Sequence, residues 1–318
     1  MTATSLKFQN PSFLFGVHCK YCFEDDEIGK KITDSYLKGI NAFQFAFSDP
    51  YGDISEYEIG NGHIVDTLMK EEEKYHCIHG CISLNLVGSK DFSDQEKKLS
   101  RVRNIIPAQL DTGVAYGCGV VFHTGSCSDR EKGIDMVIQH MKEFLDLPSK
   151  HTRHIAGLLG VPEATIIQRR NFILENSAGA GDCIGNTLEE MEQFVLGIGD
   201  NRLHVCLDTA HLFGAGYDVS KSSVIEDIFS RPFLQNKLEV IHLNDSKAPL
   251  ASRKDRHEVI GQGKIWSKSK ESLKLLLKKA HERGVACVGE PPMAQFSWRD
   301  ISQLASEIVP ELFYIEED

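Results

Sequence analysis

The residues best suited to chemistry cluster between Ile241 and Gly263, in IHLNDSKAPLASRKDRHEVIGQG. A short apolar run, Leu238-Glu239-Val240-Ile241, delivers His242, Asn244 and Asp245. Thirteen residues after His242 comes Asp255-Arg256-His257, followed by a Gly-Gln-Gly turn. Two imidazoles and two carboxylates therefore lie within sixteen residues, interleaved with Lys247, Arg253, Lys254 and Arg256. Imidazole and carboxylate donors hold divalent cations, and cations beside them suit an anionic substrate. The stretch predicts a metal site that also holds an anion.

The same donor types recur at one kind of place along the chain. His79 follows Cys77-Ile78, His123 ends GVVF, Glu175 ends NFIL, Asp208 ends HVCL, His242 ends LEVI and Glu290 ends ACVG. Taken singly, such a histidine is commonly a satisfied polar group and such a glutamate a surface charge. Six consecutive runs closing this way call for an architecture that gathers run ends. Eight strand-like runs (13–18, 42–47, 75–79, 119–123, 171–175, 204–208, 238–242 and 285–290) alternate with helical patterns at 25–37, 56–74, 93–115, 128–145, 187–197, 220–230 and 267–283. Apolar residues in the helical patterns recur at three and four, as in Met136, Val137, His140, Met141, Phe144 and Leu145. An extra segment at 151–168 predicts one short helix and a turn at Val161-Pro162. Strands separated by helices pair in parallel through right-handed crossovers. Eight such units in 318 residues predict an α/β fold, a (β/α)8 TIM barrel, in a single domain over 1–318. In that fold the C-terminal strand ends converge on one mouth, where the six donors would meet.

Composition narrows the classes further. At 41% hydrophobic and 25% charged the chain is an ordinary folded protein, and no run of eighteen apolar residues spans a membrane. The opening MTATSLKFQNPSF has no apolar core of a secretory signal, so an intracellular protein, cytoplasmic or nuclear, is expected. Nine cysteines, odd in number and scattered, read as mostly reduced thiols. Cys19-Lys-Tyr-Cys22 reads as two reduced thiols, with a redox pair as the alternative, and Cys77, Cys81, Cys206 and Cys287 read as barrel filling. A formal charge of −11 weighs against nucleic acid, but residues 247–279 hold ten Lys/Arg against three Asp/Glu, a local +7. Bound divalent ions would shift the balance further.

Adding the two close pairs gives nine candidate ligands: His79, His123, Glu175, Asp208, His211, His242, Asp255, His257 and Glu290. All donate nitrogen or oxygen, which points to Zn2+, with Mn2+ as the alternative at some sites. A catalytic zinc takes about three protein ligands and keeps an open position. With bridging carboxylates, nine ligands serve three ions. Closely spaced divalent ions stabilise the attacking and leaving oxygens of a displacement at phosphorus. Arg253, Lys254 and Arg256 would hold the flanking phosphates. Phosphoester hydrolysis is the expected reaction.

Three stretches carry a resemblance: LENSAGAG (174–181), CLDTAHLFGAGYD (206–218) and HLNDSK…SRKDRH…GQG (242–263) are similar to the signature segments of the endonuclease IV family. The resemblance runs roughly over 13–290. It implies a zinc-dependent AP endonuclease with a TIM-barrel fold, acting on double-stranded DNA. The expected cut lies 5′ to an abasic site and leaves a 3′-hydroxyl and a 5′-deoxyribose phosphate, with trimming of blocked 3′ ends as a further activity. By the resemblance, Glu175 bridges two zincs and is joined by His79 and His123 on one side. Asp208, His242 and Glu290 take the second ion, and His211, Asp255 and His257 the third. Glu175 and Glu290 are both candidates for activating the attacking water, and the sequence does not choose between them.

The chain departs from the family pattern where DNA would be distorted. The tyrosine expected three residues after His79 is Ile82, and the recognition loop after the second strand is Ser48-Asp49-Pro50-Tyr51-Gly52. Tyr51 is the candidate replacement wedge, although Asp-Pro is equally a common turn. Sugar isomerases and epimerases of the same barrel class are the rival reading; they also gather Glu, Asp and His around divalent ions but do not need the Asp255-Arg256-His257 clamp. An inert DNA-binding barrel would have lost ligands, and none of the nine is missing. A monomer is expected, since no apolar stripe or heptad run stands out.

Overall fold

The computed structural model describes residues 5–8, 14–19, 41–46, 75–267, 270–290, 304 and 306–316. The expected helices at 25–37 and 56–74 lie outside them. In chain order the strands are β1 (Ser5–Phe8), β2 (Phe15–Cys19), β3 (Ala42–Ala46), β4 (Tyr75–His79), β5 (Gly119–His123), β6 (Phe172–Glu175), β7 (Leu203–Asp208) and β8 (Leu238–His242). Two short strands follow, β9 (Asp245–Ser246) and β10 (His257–Glu258), then β11 (Ala286–Gly289) and β12 (Phe313–Glu316).

Eight of these close into a barrel in the order β11-β2-β3-β4-β5-β6-β7-β8, each neighbouring pair parallel. This is the expected (β/α)8 architecture. Strands 75–79, 119–123 and 238–242 have the expected bounds, and the others shift by one or two residues.

Alternation along the strands decides what points where. Side chains of a strand face opposite sides in turn. Ala42, Cys77, Val121, Ile173, Cys206, Val240, Ala286 and Val288 pack together as the filling of the barrel. Their neighbours Ile78, Val120, Phe122, Phe172, Leu174, Leu207 and Ile241 belong to the larger core between barrel and helices. The next inward position after the last filling residue of each strand is therefore two residues on, at the mouth. Gln44, His79, His123, Glu175, Asp208, His242 and Glu290 occupy those positions. Cys77 and Cys206 fill the barrel as expected, whereas Cys287 packs on the helix side, because it is out of phase with Ala286 and Val288. Cys81 lies past the end of β4, half-buried against the outer core.

The described helices are α1 (Gln95–Ala115), α2 (Arg130–Asp146), α3 (Thr152–Leu159), α4 (Glu163–Gln168), α5 (Leu188–Ile198), α6 (Thr209–Ala215), α7 (Ser222–Ser230) and α8 (Lys270–Glu282). Asp129 and Thr187 cap α2 and α5 by accepting from the Lys132 and Glu190 amides, each at 3.2 Å. Where one short helix was expected at 151–168 there are two. Gly160, at φ 64°, ends α3, and Pro162, extended, caps α4. Two antiparallel ladders were not anticipated: β1 with β12, and β9 with β10. Among the described residues no helix is long and apolar enough to cross a membrane.

Candidate metal centre

Strand ends and one loop assemble the site. β4, β5, β6, β7 and β8 end on His79, His123, Glu175, Asp208 and His242, and Glu290 stands one residue past β11. Asp208 also accepts from the His211 amide at 2.7 Å, so it caps α6 and turns His211 towards the mouth. The β9–β10 ladder brings Asp255 and His257 back over the barrel, pairing His257 with Ser246.

Among the described residues four groups of donor atoms result, each with its atoms within 4.8 Å of one another: His79, His123 and Glu175; Asp208, His242 and Glu290; Asp208, His211 and His257; and Glu175, Cys206 and His242. Glu175 is the hub. Its Oε2 lies 3.4 Å from His79 Nε2 and 3.1 Å from His123 Nε2, and its Oε1 lies 3.1 Å from His242 Nδ1 and 3.3 Å from His211 Nδ1. Asp255, grouped with His211 and His257 by the resemblance, lies 3.3 Å from His211 Nε2 and 3.2 Å from His257 Nε2. Its side chain is 51% exposed, so it forms the outer wall of the centre.

Backbone carbonyls set most of the rings. His79 Nδ1 donates to Gly80 O at 2.9 Å, His211 Nδ1 to Asn176 O at 2.9 Å, and His257 Nδ1 to Glu290 O at 3.3 Å. A carbonyl only accepts, so Nδ1 carries a proton in every protonation state, and Nε2 is the nitrogen that can release its own to a metal. Such outer hydrogen bonds are what orient metal-ligating histidines. Asn244 braces the carboxylates: its Nδ2 donates to Asp208 Oδ2 at 2.6 Å and Glu290 Oε2 at 3.1 Å, and its Oδ1 accepts from the Glu290 amide at 2.8 Å.

The electrostatics are those of carboxylates seeking cations. Burial works to raise the Glu175 carboxyl, but His242 and His123 outweigh it and hold the group well below the usual range. Burial pulls His242 down, yet Glu290 and Glu175 lift it to about 9. His257 is likewise lifted against burial, by Asp208 and then Asp255, to about 11. Asp255 is pushed far down, against burial, by His211 and His257. Cys206 is pushed well up by burial and by Glu175 and Asp208, which keeps a neutral thiol as barrel filling. Glu175 Oε2 and His257 Nε2 are buried without a hydrogen bond of acceptable geometry, and both point into the donor groups. An anionic oxygen facing His79 and His123, and an imidazole nitrogen facing Asp208 and Asp255, fit divalent cations.

The profile of the family described as xylose isomerase-like TIM barrel matches residues 38–288. Over 247 residues the chain is 31% identical to the probable endonuclease 4 of Halothermothrix orenii, spanning 75% of this chain and 81% of that protein. The chain belongs to the endonuclease IV family. It is also 37% identical to an apurinic-apyrimidinic endonuclease of Caenorhabditis elegans over 129 residues, 39% of this chain and 32% of that protein. In fold, endonuclease IV from Thermus thermophilus matches with a TM-score of 0.70 at 24% identity, covering 94% of this chain and 99% of that one.

The DNA-contact candidates of this endonuclease IV chain are less gathered than its metal candidates. Ile82, beyond β4, is 49% exposed. Arg253, Lys254 and Arg256 are exposed on the loop between β9 and β10. Lys247 is exposed too, with its ammonium 3.8 Å from Glu258. The loop docks on the C-terminal end of α6, Ala251 and Arg253 donating their amides to Phe213 O at 3.0 Å and Gly214 O at 2.9 Å. Tyr51 and the 48–52 loop lie outside the described residues, as do Cys22 and the Cys19 side chain.

Two residues of the site, Gln44 and Asn244, carried no role in the sequence reading, and Asp245, counted there among the carboxylates of the metal stretch, is instead taken up by backbone amides. Gln44 was one amide in an apolar run, although its place two residues after Ala42 follows the same inward period. Asn244 stood in the opening motif without a partner. Asp245, fully buried, accepts five amides: Ser246 at 2.8 Å, Ile265 at 2.9 Å, Gly261 and Gly263 at 3.0 Å, and Trp266 at 3.3 Å. A Cβ on Gly263 would stand 2.3 Å from Asp245 Oδ1, which explains the second glycine of the Gly-Gln-Gly turn.

Proposed function

We propose that this endonuclease IV chain is an AP endonuclease of DNA base-excision repair. In this reading it hydrolyses the phosphodiester 5′ to an abasic site in double-stranded DNA, leaving a 3′-hydroxyl and a 5′-deoxyribose phosphate, and trims blocked 3′ ends. It works as a monomer, in one domain, with three Zn2+ held by His79, His123, Glu175, Asp208, His211, His242, Asp255, His257 and Glu290. The observation that carries the reading is the position of Glu175, whose two oxygens each face two of the four imidazoles around it.

When bound, the zinc ions supply Lewis acidity at the phosphate and a water acidified for attack. The residues of the chain do the rest. Glu175 and Glu290 stand at the reacting centre as carboxylates able to take a proton from the attacking water. Asn244 holds Asp208 and Glu290 at fixed separation, so little reorganisation is needed as charge develops. Arg253, Lys254 and Arg256 face solvent beside the donor groups, where they engage phosphates next to the cut. Ile82 and Tyr51 are the candidates for apolar contact with the gap left by the missing base.

Incision of a duplex oligonucleotide carrying one stable abasic-site analogue tests this. A single cut on the 5′ side, leaving a 3′-hydroxyl and lost in Glu175→Gln by a factor of about 10²–10⁴, is expected. No cut by zinc-loaded protein would sink the assignment and favour sugar isomerisation, which the xylose isomerase-like barrel also accommodates.

A further inference from the structure

Gln44 is fully buried at the mouth, on β3, between two candidate ligands that lie far away in sequence. Its Nε2 donates to Glu290 Oε1 at 2.6 Å. A carboxylate only accepts, so the amide nitrogen must face Glu290 and the amide oxygen must face the other way. That oxygen lies 2.7 Å from His242 Nε2 and takes a weaker bond from Cys77 Sγ at 3.4 Å. An amide oxygen cannot donate, so His242 Nε2 must carry the proton. Nδ1, which lies 3.1 Å from Glu175 Oε1 and 3.3 Å from Glu290 Oε2 inside the donor group, is then the nitrogen that gives up its proton to a metal.

His242 thus has the opposite orientation to His79, His211 and His257, whose Nδ1 atoms are pinned by backbone carbonyls. A carbonyl of the main chain comes with the fold. The pin on His242 is a side chain, and it depends on Glu290 to set which end of the amide faces the ring.

We propose that Gln44 is a positioning residue of the metal centre. It fixes His242 as the Nε2–H tautomer so that Nδ1 is the ligating atom, and it holds Glu290 by one oxygen so that the other faces the ion. This rests on reading the mouth as a metal centre.

Gln44→Met removes both bonds at similar volume, whereas Gln44→Glu still accepts from His242 but repels Glu290. Two readouts apply: zinc affinity by competition with a chelator, and the ring 15N–1H signature of His242 in zinc-loaded protein, assigned by its disappearance in His242→Asn. In Gln44→Met the affinity for one zinc should fall about 10–100-fold with the other ions unaffected, and His242 should lose its Nε2–H signature. In Gln44→Glu the Nε2–H signature should persist while affinity falls. A persistent signature with unchanged affinity in Gln44→Met overturns the role. If Gln44→Met does not fold, a switch of His242 to the Nδ1–H form in Gln44→Glu overturns it instead. A wild-type chain that takes up no zinc would remove the metal centre itself, an outcome distinct from the failure of Gln44 alone.

Discussion

Four imidazoles lie within 3.4 Å of the Glu175 carboxylate, and that crowding has a measurable cost in protons. In the ion-free chain His242 holds its proton up to about 9 and His257 up to about 11, above the ordinary value near 6.5. Ligation requires the neutral ring, so zinc must displace protons at pH 7. Calorimetry in buffers of different ionisation enthalpy should show proton release on loading, with affinity rising from neutral pH and flattening for His242 above about 9. Loading without proton release would contradict these ion pairs. The ion-free chain behaves in the opposite sense. The pairing of His242 stabilises it fully below about pH 6.5 and is lost as pH rises through about 9, so its melting temperature should fall across that range. At this scale the six donors at the strand ends were legible because each changes chemical type abruptly after an apolar run. Gln44 was not, because a neutral amide inside Ala42–Ala46 takes its meaning from His242 and Glu290, about 200 and 250 residues away, which only the closed barrel brings near.

Strands and helices were read from periodicity, which is a local signal. It located all eight barrel strands, because buried parallel strands are short apolar runs bounded by polar residues. It had no purchase on the two-residue ladder of β9 with β10 or on β1 with β12, where pairing between distant segments carries the structure. The loop from Asp245 to Trp266 depends on one anion. Asp245 binds the amides of Gly261, Gly263, Ile265 and Trp266 and thereby anchors the far end of the segment carrying Asp255 and His257. Asp245→Asn would turn an amide donor on some of those N–H groups at nearly unchanged volume. Urea unfolding should show a loss of about 2–4 kcal/mol. If zinc binds as proposed, metal analysis should show depletion at His211, Asp255 and His257 before the rest of the mouth. Simultaneous loss of all bound zinc would instead mean that the mouth folds as one unit.

The molecule as a whole is acidic, at −11, and concentrates its excess cations in 247–279. An acidic protein that binds DNA must do so through a restricted face, and salt dependence counts the phosphates on it. If Arg253, Lys254 and Arg256 each neutralise one phosphate, replacing all three by glutamine should reduce the slope of log affinity against log salt by about 2.7. The rate at saturating DNA should change far less. An unchanged slope would move the DNA face elsewhere on the barrel.

The loop between β9 and β10 has a practical use. Arg253 and Lys254 are the bonds trypsin prefers, and they are exposed. They are moored on one side by the amides of Ala251 and Arg253 to the end of α6, and on the other by Asp255 against His211 and His257 against Asp208. A protease cleft needs a stretch of chain it can straighten, which a loop held at both sides does not offer. Releasing the second mooring with a chelator should therefore expose a cut site about 64 residues before the end of the sequence. Fast cleavage there with chelator and slow cleavage with zinc would report the state of the outermost donor group without any DNA. Equal rates would mean that the helix holds the loop by itself.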